Sequence, residues 1–417
     1  MLLFPLILLL QTSSTALRTN KICIQERGYT LNTSTAKRDD FYQACTRKCK
    51  TCSKPFPPDP RFKGRYSFPV KSIGRKNCDD PEAIAMIEKG IPLILKNCSF
   101  ARSAHKWTVD YLNENLKDKD HITYVASQRR FLFYDEDKLI DNYKNWTPPH
   151  EKRLMYFHEF LKMARALKKA NNGTLSYFQS PLYNIEGVSP ALEKDINAFD
   201  YSWLLDIVSR LGWGDEVINL LFIGMSDVVT PAHYDILENF FVQIAGYKRV
   251  ILFRPDYFKS LYPFPVGHPH DRQSQVNFDN PNFEKFPNFL DIEGLEAVVG
   301  PGDVLYIPIY WWHYVESERN NMTVSVNFWF NHKNDTMEST LNGTNSATHF
   351  TNHLKNVTPH SAKRTSVAGI EDLVLKREIE SLIYETTKDH SKVVQVLKEI
   401  IAGRFGFVEK GTSASNP

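Results

Sequence analysis

Beyond Cys98 the chain has no cysteine: all six (Cys23, Cys45, Cys49, Cys52, Cys78 and Cys98) precede residue 100, so the later three quarters operate without a thiol. Charge of one sign is missing too. Fifty-one Lys and Arg against 48 Asp and Glu leave a net +3, and no basic block resembles a nucleic-acid arm. Lys152-Arg153 and Lys168-Lys169 read as solvated helix faces, so no nucleic-acid partner is expected. After residues 2–10 no apolar run is long enough to span a bilayer. A KDEL-type tail is also missing after Ala414, so retention in the endoplasmic reticulum is not indicated.

What is there suits a folded β-rich protein. Hydrophobic residues make up 42% and charged residues 24%, ordinary for a chain with a sizeable core. Aromatics reach 13%, which fits a β core or a lined pocket. The 417 residues exceed one average domain, but barrels with flanking helices use this length as a single unit. Residues 2–10 are almost unbroken Leu, Ile, Phe and Pro, followed by small polar residues and Ala16, the h-region and end of a secretory signal peptide without its basic n-region. Two further features point to the secretory pathway. The cysteines are even in number, read first as disulfides with fifteen pairings open. Asn-x-Ser/Thr acceptors recur at Asn32, Asn97, Asn145, Asn172, Asn321, Asn334, Asn342 and Asn356. If the leader is not functional, the protein is cytoplasmic instead.

The expected order is a signal peptide at 1–17, a cysteine-bearing segment at 18–55, a linker at 56–80, a catalytic domain at 81–345 and a helical region at 346–417. Cys45, Cys49 and Cys52 resemble the tail of a small ShK-like cysteine module, or would bind zinc in a reducing compartment. Pro55-Phe-Pro-Pro-Asp-Pro60 reads as extended chain. Residues 151–170 read as one helix, with Leu154, Phe157, Phe160, Leu161, Ala164 and Leu167 at helical spacing. Short apolar and β-branched runs follow at 219–225, 239–245, 247–253, 303–307, 312–316 and 322–330, with turn chemistry at Gly246 and at Pro301-Gly302-Asp303. The fold class is therefore mainly β with flanking α: a jelly-roll or cupin core between N-terminal and C-terminal helices. A polar and aromatic insert at 262–289 interrupts the strands without periodicity. Two amphipathic helices near 370–383 and 393–401 either cover the barrel or pair with another chain.

The chemistry concentrates in Thr230-Pro-Ala-His233-Tyr-Asp235, where a His and an Asp two apart on a strand point to the same face. His313, in Tyr310-Trp-Trp-His313, supplies a third donor beyond the turn Gly300-Pro-Gly-Asp303. Two His and one carboxylate form the facial triad of non-haem Fe(II) oxygenases, which leaves positions open for co-substrate and dioxygen. Such an enzyme also needs a cation for an anionic co-substrate. Lys248, thirteen residues after Asp235, offers one as a point charge. Thr230, Tyr177, Asn239 and Asn327 could add hydrogen bonds.

These strings resemble a known family. TPAHYD, GYKRVILF, YPFPVGHPHDRQSQVNFDNP, FPNF, VVGPGDVLYIPIYWWH and VNFWF, with weaker FLFYDE, FHEFL and YFQ upstream, are similar to the JmjC 2-oxoglutarate dioxygenases, specifically the asparaginyl hydroxylases of the type that inhibits hypoxia-inducible factor. The similarity covers most of the chain after about residue 85. It implies a double-stranded β-helix core, Fe(II) on His233, Asp235 and His313, and 2-oxoglutarate on Lys248 with help from Tyr177, Thr230, Asn239 and Asn327. It implies further that Arg272 and Gln273 hold a target carboxamide, that Trp329 flanks the pocket, and that the C-terminal helices form a homodimer. Three features depart from the family: Phe133-Tyr134-Asp135 stands where Tyr-Tyr-Asp is usual, the loop after His313 is one residue shorter, and the chain carries an export signal.

The implied activity is hydroxylation of a protein or peptide, at the β-carbon of asparagine first. Two alternatives stand beside it: hydroxylation of Asp, His or Lys in secretory proteins, and a non-catalytic metal-binding cupin that serves as an interaction module. Histone demethylation would require a nuclear protein and conflicts with the leader.

Overall fold

A computed structural model describes residues 59–64, 66–116, 119–139, 146–182, 188–332 and 370–401. The chain divides into a unit of Pro55–Leu373 and a second of Met1–Lys54 with Val374–Pro417. The leader, the cysteine segment, the expected boundary at 345 and the acceptors Asn32, Asn145, Asn334, Asn342 and Asn356 lie outside the described residues.

In the larger unit two sheets face each other. One has five strands, in the order β1 (Val70–Ser72), β11 (Gly294–Val299), β10 (Lys248–Phe253), β13 (Trp312–Ser317) and β8 (Val229–Tyr234). The other has nine: β2 (Arg75–Asn77), β3 (Leu93–Lys96), β12 (Val304–Ile307), β9 (Glu238–Ala245), β14 (Thr323–Phe330), β7 (Glu216–Gly224), β6 (Leu175–Pro181), β4 (His121–Ala126) and β5 (Glu151–Met155). From β7 onward the chain crosses between the sheets, β7, β9, β12 and β14 in the large one and β8, β10, β11 and β13 in the small. This is the jelly-roll that the run of short strands suggests.

β9, β10, β12, β13 and β14 lie within a residue of the apolar runs, β7 starts three residues before its run, and β11 matches none; β9, β10, β13 and β14 are covered on both faces and read as nearly continuous apolar sequence. Their alternation still sorts the faces. Val250 and Leu252 of β10 turn inward onto Phe241, Ala297, Val299 and Leu305. Ile251 and Phe253 turn outward onto Phe68, Phe278, Phe289, Trp312 and Tyr314. The outer face of the large sheet packs Phe178, Leu221, Ile223, Phe240, Val326 and Phe328 under helices α1 (Pro81–Glu88), α2 (Val109–Asn115), α3 (Phe157–Ala170), α4 (Pro190–Asn197) and α5 (Ser202–Leu211). Fully burying each such aromatic or aliphatic side chain contributes about 1.5–3 kcal/mol.

Three expectations are corrected. The helix read over 151–170 starts at Phe157; Glu151–Met155 is the edge strand β5, paired antiparallel with β4. Leu154, counted in the helical stripe, is 65% exposed there. The break falls where the Glu159 carboxylate accepts the Tyr156 N–H at 3.1 Å and caps the helix. Second, residues 70–77, assigned to a linker, form β1 and β2, and Phe62 and Phe68 before them are buried. Buried Glu316 anchors this segment by accepting the Gly64 N–H at 2.6 Å and the Arg249 guanidinium at 2.6 Å. Third, the aperiodic insert is packed: Val276, Phe278, Phe286 and Phe289 are buried on the outer face of the small sheet.

Of the six cysteines, Cys78 and Cys98 form a disulfide with Cα atoms 5.2 Å apart, joining the end of β2 to the end of β3. The C-terminal unit contributes two helices, α6 (Ile370–Thr387), which begins four residues before its boundary, and α7 (His390–Ile401). No helix among the described residues is long and apolar enough to cross a membrane.

Candidate metal centre

Strands β8 and β13 pair antiparallel with His233 directly opposite His313. The two imidazole centroids are 4.0 Å apart. Each ring is fixed by its own strand: His233 Nδ1 contacts the Pro231 carbonyl at 2.8 Å and His313 Nδ1 the Trp311 carbonyl at 3.0 Å. A carbonyl only accepts, so the proton sits on Nδ1 and Nε2 keeps its lone pair. Asp235 closes the group just past β8, with its carboxylate 3.7 Å from His313 Nε2. One donor atom from each of the three lies within 4.8 Å of the others.

The surroundings fix the carboxylate. The Trp329 indole N–H donates to Asp235 Oδ2 at 2.9 Å, and the Asp235 backbone carbonyl accepts from Tyr310 N at 2.8 Å. Tyr310 adopts a left-handed φ of 63° in the turn leading to His313. Burial pushes the His233 imidazole well below its usual range, helped by the facing His313. Burial alone would raise the Asp235 carboxyl, but the two imidazoles, the Trp329 N–H and the Arg272 guanidinium outweigh it and hold it low. At neutral pH His233 is therefore a neutral donor and Asp235 an anion, the states a divalent cation needs. Two imidazole nitrogens and a carboxylate, one donor atom of each within 4.8 Å of the others, fit Fe(II) with coordination positions to spare.

From the triad a polar row runs inward along β14. Trp329, Asn327 and Ser325 share a face by strand alternation, opposite Asn239, Phe241 and Gln243 of β9. At its inner end Lys248 is only 1% exposed, its ammonium donating to Ser325 Oγ at 2.9 Å over the Phe241 ring. No acidic side chain among the described residues pairs with it, and burial pushes its pKa down to about 7. Tyr177 and Thr230 join hydroxyl to hydroxyl, and burial raises the phenol. Both polar atoms of the Asn239 side chain, and Oδ1 of Asn327, are buried without a partner. Each such orphan costs about 1–3 kcal/mol, so the row is built for a polar, anionic occupant.

Lys248, Tyr177, Thr230, Asn239 and Asn327 thus all fall along this row or beside it. Arg272 and Gln273 come beside His233 through the insert, whose edge pairs with β8: His233 bridges Gln273, which is only 3% exposed, and Ser274 N donates to the Ala232 carbonyl at 2.8 Å. The Gln273 amide N–H is engaged within the chain, donating to the Phe133 carbonyl. Trp329, expected to flank the pocket, also orients Asp235. Ser325 was not anticipated; its signal is the period-two alternation Ser325-x-Asn327-x-Trp329.

The family model described as a cupin-like domain matches residues 82–336. Among curated relatives, "Lysine-specific demethylase 8" of Danio rerio is 28% identical over 304 residues, 70% of this chain and 67% of that protein. "tRNA wybutosine-synthesizing protein 5" of Gallus gallus is 28% identical over 245 residues, 57% of this chain and 70% of that protein. "JmjC domain-containing protein D" of Dictyostelium discoideum is 30% identical over 252 residues, 57% of this chain and 51% of that protein.

Proposed function

Since the chain belongs to the cupin-like domain family, whose model covers residues 82–336, we propose that it is an Fe(II)- and 2-oxoglutarate-dependent oxygenase that hydroxylates a protein side chain, the β-carbon of asparagine first. The observation that carries this reading is the pairing of a His-Asp-His group with a buried ammonium that meets no carboxylate among the described residues, along one polar row.

His233, Asp235 and His313 would hold the iron. Iron(II) with 2-oxoglutarate and dioxygen supplies an oxidant strong enough for an unactivated C–H bond, the 2-oxo acid leaving as succinate and carbon dioxide. The chain contributes position. The Pro231 and Trp311 carbonyls hold the imidazoles with Nε2 presented, and the Trp329 N–H keeps the Asp235 carboxylate turned to them. Lys248 would take the far carboxylate of 2-oxoglutarate, with Tyr177, Thr230, Asn239 and Asn327 as hydrogen-bonding partners. Arg272, beside His233, would meet the substrate chain, and Gln273 would do so after releasing the Phe133 carbonyl. No side-chain general base is needed.

Asparagine as the target rests on resemblance around Arg272 and Gln273. A lysine target is favoured by the names of relatives such as the Danio rerio demethylase. The leader, the Cys78–Cys98 disulfide and the acceptor asparagines support a secretory-pathway substrate.

The test is full-length protein made through a secretory pathway, supplied with Fe(II), 2-oxoglutarate and peptides carrying Asn, Asp, His, Lys or methyl-lysine. Succinate release and a gain of one oxygen mapped to Asn are expected, both absent in His233→Ala. Oxygen on another residue, or release of formaldehyde from methyl-lysine, would replace asparagine as the target. Iron binding without succinate on any peptide would leave the non-catalytic module.

A further inference from the structure

Three of the eight acceptor asparagines, Asn97, Asn172 and Asn321, fall among the described residues, and all three are exposed. They converge on one end of the barrel. β13 leaves the metal site at His313 and runs to Ser317; Asn321 sits in the turn beyond, and β14 returns from Thr323 to Trp329 at Asp235. Asn172 follows α3 and precedes β6, whose Tyr177 pairs with Gly224, which pairs with Thr323. The Lys168 ammonium, in the last turn of α3, donates to the Asn320 carbonyl at 2.7 Å and ties the end of that helix to the β13–β14 turn. Asn97 follows β3, whose Leu95 pairs with Val304 near the β9–β10 turn. Thr323 to Trp329 is six steps of strand, roughly 20 Å. All three asparagines therefore lie about a strand length from the iron ligands.

They differ in what the fold asks of them. The Asn97 amide donates to Asn77 at 2.9 Å, Ser99 donates to Asp200 at 2.8 Å, and Cys98 between them is in the disulfide. The Asn321 amide donates to Glu318 at 3.2 Å, and Thr323 is fully buried against Ser317. At Asn172 only the side-chain oxygen is engaged, accepting the Thr174 N–H at 3.0 Å in an Asx turn. The amide nitrogen has no partner among the described residues and stands on an exposed three-residue turn.

We propose that Asn172 carries an N-linked glycan, which covers the end of the barrel opposite the metal site and leaves the mouth clear for a protein substrate. The step is a group transfer. Asn172 Nδ2 bonds to C1 of the first sugar of a polyprenyl-pyrophosphate-linked oligosaccharide. The C1–O bond to pyrophosphate breaks, and the amide proton leaves with the pyrophosphate. The proposal rests on the secretory reading above.

The full chain is produced in a eukaryotic cell in two forms, with its own leader and with a strong heterologous cleavable leader. Purified protein is treated with peptide N-glycosidase in oxygen-18 water and mapped by mass. The expected result is labelled Asp at position 172 in both forms, loss of one mobility step in Asn172→Gln, and Fe(II) binding unchanged by glycan removal. Labelling only behind the heterologous leader would show a competent acceptor that the native chain never exposes to the transferase, and would overturn the proposal through its secretory premise. No label at 172 in either form would overturn it at the acceptor itself.

Discussion

Replacing Lys248 with methionine should separate the two consequences of burying an ammonium that meets no carboxylate among the described residues. Without an anion the cation is a liability: burial lowers its pKa from the usual 10.5 to about 7. The unfolded chain then binds more protons than the folded one between those values, so stability of the ligand-free protein rises with pH across that window. The full shift corresponds to at most about 5 kcal/mol. Lys248→Met fills similar space, removes the slope and leaves the ligand-free protein as stable at pH 7 or more so. Binding should move the other way. Losing one partner of a buried charge pair costs about 3–5 kcal/mol, roughly two to four orders of magnitude in affinity for 2-oxoglutarate. In the wild type that affinity should also weaken about tenfold per pH unit above 7, as Lys248 must gain a proton to bind. Calorimetry of 2-oxoglutarate binding to metal-loaded protein from pH 6.5 to 9, with thermal unfolding of the free protein, reads both sides. Equal affinity in the variant, or a wild-type affinity without that pH slope, would refute the placing of the co-substrate carboxylate on Lys248.

Other perturbations have narrower outcomes. Trp329→Phe removes the N–H held by Asp235 at 2.9 Å while keeping a large aromatic ring, so Fe(II) affinity should fall roughly 10–100-fold with little change in denaturant midpoint. Glu316→Gln weakens a buried carboxylate that receives Arg129 and Arg249, and unfolding in urea should show a loss of about 3–5 kcal/mol. Burial would raise the Glu316 carboxyl, but Arg249 and Arg129 hold it below its usual range. Its stabilisation is therefore present above the unfolded-state value and lost as pH falls through the folded one, so the variant should lose less on acidification than the wild type. Cys78→Ser closes no 20-residue loop; it should cost about 3 kcal/mol on the chain-entropy model and leave iron binding intact.

The core strands were legible because each is a covered run with a turn after it: Gly246 closes β9 and Gly302, at φ 86°, opens β12. The triad was legible for a related reason. His233 and Asp235 are two apart at a strand end, and the facing position of His313 follows once β8 and β13 pair. Partnerships decided by long-range pairing were not legible. Nothing near Asp235 in sequence names Trp329, 94 residues away, nor does anything near Lys248 name Ser325. Helical spacing misled at Leu154, where an edge strand with one solvent face happens to present an apolar residue in phase with the following helix. The packing of the insert was not legible because its order comes from Phe278, Phe286 and Phe289 on the small sheet rather than from any local period.

The most direct measurement is anaerobic Fe(II) titration of the full chain by calorimetry and metal analysis, beside His233→Ala, Asp235→Ala and His313→Ala. If these three residues hold the iron, the wild type takes up one Fe(II) per chain in the presence of 2-oxoglutarate and each variant loses that uptake while staying folded by circular dichroism. Undiminished iron binding in the folded variants would contradict the assignment of the metal to His233, Asp235 and His313.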